Sequence, residues 1–179
     1  MIDRYEPGPA NMAHVEKDGD TWTLVLVKEL KHAPEKVWNA ITDPAQLREW
    51  APFDSDGNLA VAGAKVNLTT VGAPSLHVTE TTVTRAERPK LLEYNWGGFD
   101  MRWQLDAHGA GTRLTLWTNI QRNFIAMGAA GWHFCFDVLE QLLDGTPLGR
   151  IVGPDAMKVE DWHRLHAEYA KQFGVKTPK

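Results

Sequence analysis

Catalysis by a protein side chain needs a nucleophile, an acid–base group or a set of metal ligands spaced so that they can meet. His163 and His166 are the first candidates, with Glu160 and Asp161 close by. Three positions apart on a helix, two imidazoles share a face and could hold a metal. His166, however, falls on an apolar stripe with Trp162 and Tyr169, and the chain contains neither HExxH nor CxxC. The single cysteine, Cys135, sits among Trp132, Phe136 and Leu139. A catalytic thiol wants an electropositive, partly exposed setting, so Cys135 reads as a buried, inert thiol. His133 is two positions away and points elsewhere around a helix. It could hydrogen-bond a ligand oxygen or serve as a satisfied structural histidine, and Asn119 and His77 are weaker candidates for the same role. Glu80 and Glu93 belong to strand-like segments, where an exposed Glu is ordinary. No glycine-rich phosphate loop follows a strand, and no GxSxG is present. The expectation is no catalytic residue, no metal and no cofactor.

Composition narrows the partners. Net charge is −4, from 19 Lys and Arg against 23 Asp and Glu, and no segment gathers the basic residues. A nucleic acid or an anionic membrane would want a basic patch, so neither is expected as a partner. No apolar run approaches the ~18 residues of a membrane span, so no membrane insertion is expected. Met1 to Asp20 is polar, contains Pro7, Gly8 and Pro9, and lacks the apolar stretch of a signal peptide. One cysteine allows no internal disulfide. These features fit the cytoplasm. The unusual count is eight Trp. Indole combines a large apolar body with one donor and suits cores and ligand cavities alike.

The elements that would position these side chains follow from periodicity. Residues 1–20 read as a flexible arm. Thr21 to Leu30 is a strand by its β-branched and apolar content. Pro34 suits a first helical turn, and Val37, Trp38 and Ile41 form a short helical stripe. Asp43-Pro44-Ala45-Gln46 restarts the helix as a capping box, which predicts two short helices between Pro34 and Glu49 with a kink near Asp43. Extended segments follow at Val61–Val71, Leu76–Arg85, Leu91–Trp96, Phe99–Asp106 and Thr112–Gln121, separated by Gly- and Pro-containing turns. Phe99, Met101, Trp103 and Leu105 alternate with polar residues, the pattern of an antiparallel sheet with one dry face. Short connections predict a meander. Trp132, Cys135, Phe136, Leu139, Leu142 and Leu143 then mark a long helix ended by Gly145. Val159, Trp162, His166, Tyr169 and Phe173 mark a second amphipathic helix. The organisation expected is an arm over 1–20, one domain over 21–145, and a loop with an accessory helix over 146–179. The long helix is the element large enough to cover the dry side of the sheet.

Ala33-Pro34-Glu35-Lys36-Val37-Trp38 through Thr42-Asp43-Pro44 and Leu47-Arg48-Glu49-Trp50 resembles the APxxVWxAxTDPxxLxxW signature of the SRPBCC (START-like) superfamily. Gly131-Trp132-His133 through Leu139, then Leu142-Leu143-Asp144-Gly145, is similar to the final helix of one branch, that related to the C-terminal domain of the activator of the heat-shock-chaperone ATPase. The resemblance spans roughly Trp22 to Gly145. It implies an α+β helix-grip fold: a curved antiparallel sheet wrapped around a long C-terminal helix, two short helices after the first strand, and here an extra C-terminal helix. That extra helix is expected to cover the cavity mouth or to form a homodimer contact. The superfamily hosts carriers, receptors and enzymes, and fold alone does not choose among them.

A sheet gripping one helix leaves room where side chains do not meet, and an apolar lining takes an apolar ligand. The expected liners are Trp50 and Phe53 near the short helices, Tyr94, Trp96, Trp103 and Trp117 on strands, and Trp132, His133 and Phe136 on the long helix. Each has core packing as its alternative. By alternation Trp103 suits the core, and Trp117 is out of phase with Leu114, Leu116 and Ile120 and suits the opposite face. The expected function is binding of a small hydrophobic, aromatic or lipid-like ligand. The alternatives are a polyketide cyclase- or dehydratase-like enzyme and a chaperone-associated interaction module.

Overall fold

The computed structural model describes residues 5–176. Strand β1 (Ala13–Asp18) forms a hairpin with β2 (Thr21–Leu30). Helices α1 (Pro34–Thr42) and α2 (Pro44–Leu47) follow, broken at Asp43, whose carboxylate accepts from Ala45 N at 3.0 Å and so caps α2. Strands β3 (Phe53–Ser55), β4 (Lys65–Thr70), β5 (His77–Thr82), β6 (Arg85–Glu87), β7 (Leu91–Trp96), β8 (Phe99–His108) and β9 (Gly111–Asn119) come next. A 3₁₀ turn at Arg122–Phe124 leads into α3 (Ile125–Leu143), then α4 (Pro154–Met157) and α5 (Trp162–Phe173).

All strand pairs are antiparallel, in the order β1-β2-β9-β8-β7-β6, with a separate β3-β4-β5 sheet. The first long strand therefore closes against the last, as in a helix-grip fold. The predicted meander is interrupted between β5 and β7. There the main chain no longer pairs strand to strand, and side chains bridge the gap. Thr81 Oγ1 accepts from Asn95 N at 3.2 Å, and Thr70 Oγ1 accepts from the Trp96 indole at 3.2 Å. The break lets the small sheet turn over the end of the large one.

The N-terminal segment departs from the expected arm. Residues 13–18 are sheet, and the residues before them are tied to α5. Met12 N donates to Tyr169 Oη (3.3 Å), Ala10 N to Glu168 (3.1 Å), and Arg164 to Pro7 O (2.8 Å). Charged and polar β1 side chains hid this strand, because an edge strand needs no apolar alternation to pair. Residues 1–4 of that expected arm, and 177–179 at the other end, lie outside the described residues.

Helix α3 is covered on two sides. Trp132, Phe136 and Leu139 face the sheet, while Phe134 packs edge-on to Trp162 of α5 at 5.5 Å and to Tyr5 at 5.1 Å. Its C-terminal end is held by Lys36, which donates to Leu143 O at 2.7 Å and meets the negative end of the helix. Near the other end Gly128 permits close approach to β9. A Cβ there would lie 2.5 Å from Ile120 Cδ1.

Candidate functional site

The expected aromatic liners separate into three groups. Trp50, Phe53, Trp103 and Phe136 are each at most 1% exposed and fill the core, joined by Tyr94 at 3%. Trp103 is the hub, with ring centroids 6.0 Å from Trp50, 5.8 Å from Trp132 and 6.0 Å from Phe136. Polar tips in this cluster are satisfied by the protein itself. The Trp50 indole donates to Ala40 O (2.9 Å) and the Trp103 indole to Tyr94 Oη (3.2 Å). Trp117 lies on the outer face of the sheet, with the Arg102 guanidinium 5.0 Å over its ring.

His133 is on the far side of α3 from the sheet. Its Nδ1 is 2.7 Å from Tyr169 Oη and its Nε2 is 3.4 Å from Asp137 Oδ2. The Asp137 carboxylate can only accept, so the Nε2 proton faces it, while Tyr169 Oη meets Nδ1 and also accepts from Met12 N. Lys28 Nζ adds contacts to Asp137 (3.0 Å) and Glu140 (3.6 Å), and the Tyr5 hydroxyl donates to Asp137. Burial alone would raise the Asp137 carboxyl, but His133, Lys28 and Tyr5 hold it below the usual carboxylate range. Burial and the Asp137 carboxylate push the Tyr5 phenol up. This network fastens the N-terminal segment and α5 to α3.

An apolar pocket lies elsewhere, over the N-terminal half of α3. A pocket of about 280 Å3 is walled by Trp96 and Phe99 at the β7–β8 turn and by Thr118, Asn119 and Ile120 at the end of β9. Met127, Gly128, Gly131, Trp132 and Cys135 of α3 form its floor. Pro52, residues Ile151–Gly153, Ala156, Met157 and Trp162 close the remaining side. The room is thus beside the Trp132–Leu143 stretch, whose sheet-facing side chains interlock. Of the expected liners, Trp96 and Trp132 meet at this wall, 6.2 Å apart and nearly perpendicular. Phe99 and Met157 are 39% and 51% exposed and mark the mouth.

Two features make the pocket. The connection after α3 and the accessory helix fold back across it, contributing Ile151 to Gly153 and Trp162, which no local periodicity reveals. The second feature is legible in sequence: Gly128 and Gly131 in mid-helix, where glycine costs ~1 kcal/mol against alanine. A Cβ on Gly131 would meet nothing within 4 Å.

The wall chemistry is nearly uniform. Among the described residues no Asp, Glu, His, Lys or Arg lines the pocket. Asn119 Oδ1 accepts from Asp100 N at 2.6 Å, so its amide is engaged. Burial pushes the Cys135 thiol up to about 12, with Arg150 pulling weakly the other way. The polar candidates considered from sequence lie apart from it. Glu93 pairs with Arg102 (3.5 Å) and Arg85 (3.8 Å), His77 is 3.1 Å from Ser75 Oγ, and His166 packs on Trp162. Burial, aided by His163, lowers the His166 pKa. Among the described residues no cluster of three His, Cys, Asp or Glu is placed to hold a metal, and no helix is long and apolar enough to cross a membrane.

Residues 31–144 match the family described as Activator of Hsp90 ATPase homolog 1-like protein. The chain belongs to that family. The activator-homologue match begins just before α1 and ends just after α3, so it takes in most of the pocket wall and leaves α4 and α5 outside. Solved structures share the fold of this activator-homologue chain. A conserved protein of unknown function, EF2215 from Enterococcus faecalis, superposes with a TM-score of 0.66 over 91% of each chain at 16% identity. MLL2253 from Mesorhizobium loti gives 0.59 at 28% identity, over 70% of this chain and 99% of its own. DynU16, a protein of the dynemicin biosynthetic locus, gives 0.61 at 21% identity over 73% of this chain and 49% of its own. No curated protein matches.

Proposed function

We propose that this protein binds a small hydrophobic molecule in the pocket over the N-terminal half of α3. The observation that carries the reading is Gly131. A helix interior favours almost any other residue, yet the floor of the pocket carries a bare backbone facing open space. The apolar wall and the exposed Phe99 and Met157 at its mouth support the same reading. Cyclase or dehydratase chemistry would need an acid or base on the substrate, and the wall supplies no carboxylate or imidazole.

The test is Gly131→Leu, which fills the space without touching the core. The expected result is retained fold and thermal stability with loss of binding of a neutral solvatochromic dye such as Nile red. Unchanged dye binding by a folded variant would remove the basis of the proposal. The family description favours a second reading, an interaction with the Hsp90 chaperone. Stimulation of chaperone ATPase turnover by both wild type and Gly131→Leu would support it.

A further inference from the structure

We propose that the pocket selects a neutral, planar aromatic ring system bearing one hydroxyl or carbonyl oxygen, in preference to an anion or a flexible alkyl chain. This deepens the binding reading above and rests on it.

Neutrality follows from the wall. No charged residue lines the pocket among the described residues. The basic group acting on Cys135 is Arg150, which does not line the pocket; its Nη2 is engaged by Asp54 and, at 3.4 Å, by Leu47 O, while its buried Nε has no partner. A carboxylate entering here would lose its hydration and gain no cation, which disfavours it strongly.

Planarity follows from what the wall is made of. Trp96 and Trp132 stand at 85° to each other, so a flat ring can lie on one face while meeting the edge of the other. Gly131 on the floor presents bare backbone to open space, a surface a ring can approach closely. An alkyl chain would lose rotamer freedom in the same space and gain no edge-to-face contact. A volume of about 280 Å3 suits about two fused rings.

The single oxygen follows from Thr118. It lies on the inward face of β9 with Leu114 and Leu116, is 4% exposed and lines the pocket. Its hydroxyl is not sealed in the core but reaches the open space of the pocket, whereas the neighbouring Asn119 amide is engaged. A ligand that displaces water from this hydroxyl must replace the lost hydrogen bond, and a ligand oxygen does so.

Isothermal titration of the full chain with 2-naphthol, naphthalene, 2-naphthoate and 1-decanol tests the proposal. The expected order places 2-naphthol first, with 2-naphthoate and 1-decanol at least tenfold weaker. Thr118→Val keeps the shape and removes the hydroxyl. It should weaken 2-naphthol about threefold to tenfold and leave naphthalene unchanged. Equal binding of 2-naphthoate or 1-decanol, or an unchanged 2-naphthol affinity in Thr118→Val, overturns the ligand class while the pocket reading stands. Failure of every probe to bind the wild type, together with dye binding indifferent to Gly131→Leu, overturns both.

Discussion

Gly72 and Gly153 meet backbone to backbone, so closely that a Cβ on Gly153 would lie 2.6 Å from the Gly72 carbonyl oxygen. Gly72 belongs to the turn between β4 and β5, and Gly153 precedes α4 on the pocket rim. The contact fastens the small sheet to the segment that closes the pocket. Gly153 also holds φ 57° and ψ −133°, a conformation essentially restricted to glycine.

Gly153→Ala should therefore destabilise the protein by about 1–3 kcal/mol and loosen the rim. Urea unfolding gives the stability change. Stopped-flow release of a bound dye should show a faster off-rate than wild type.

Gly128 and Gly131 should respond differently to alanine. At Gly131 the added methyl meets open space and the helix gains propensity, so stability rises by about 0.5–1 kcal/mol. At Gly128 the methyl displaces Ile120 Cδ1, the far end of a half-buried side chain beside the pocket, and meets Leu24 Cδ2 at an ordinary 3.6 Å, so the shift offsets the gain and stability changes by less than about 0.5 kcal/mol. Thermal denaturation of the two variants checks the difference.

Asp137 should link stability to pH in the acid range. Its carboxyl is lowered in the folded state, so the unfolded chain binds the proton more readily. The stabilisation is complete above the unfolded value near about 3.9 and is lost as pH falls through the lower folded value. Asp137→Asn leaves Lys28 buried without its main partner and should cost about 3 kcal/mol at neutral pH. The variant should also show a shallower loss of stability below pH ~4 in urea titrations.

Cys135 should be a slow thiol. With its pKa pushed up to about 12, the thiolate fraction at pH 8 is roughly a thousandfold below that of a free cysteine. Alkylation by iodoacetamide, followed by intact mass, should lag a model thiol by that order. A saturating pocket ligand should slow it further, because Cys135 is part of the pocket floor.

Local periodicity and turn chemistry were enough to locate much of the architecture. The β2 and β7 segments have the bounds their β-branched and apolar runs indicate, and the Asp43-Pro44 break separates α1 from α2 as the capping pattern requires. The Trp103 alternation identified an inward strand face, and the phase of Trp117 pointed outward. The SRPBCC resemblance tied these pieces to a helix-grip fold. Strand β1 escaped notice because a charged edge strand lacks the alternation that betrays a buried one.

The site was less legible. Aromatic identity says that a side chain will leave water, and it does not say whether a void remains beside it. Trp103 and Trp132 are both buried tryptophans, yet one is closed in by Trp50 and Phe136 and the other borders the pocket. His133 likewise acquires its role from Tyr169 and Asp137, the first of which is on α5.

Order along the chain thus settled the longer strands and helices, the dry face of the most regular of them, and that α3 must lie in the grip of the sheet. Those properties depend on neighbours a few residues away. Where empty volume survives depends on groups distant in sequence, such as Gly72 against Gly153 and Trp162 against Phe134, and only their meeting in space decided it.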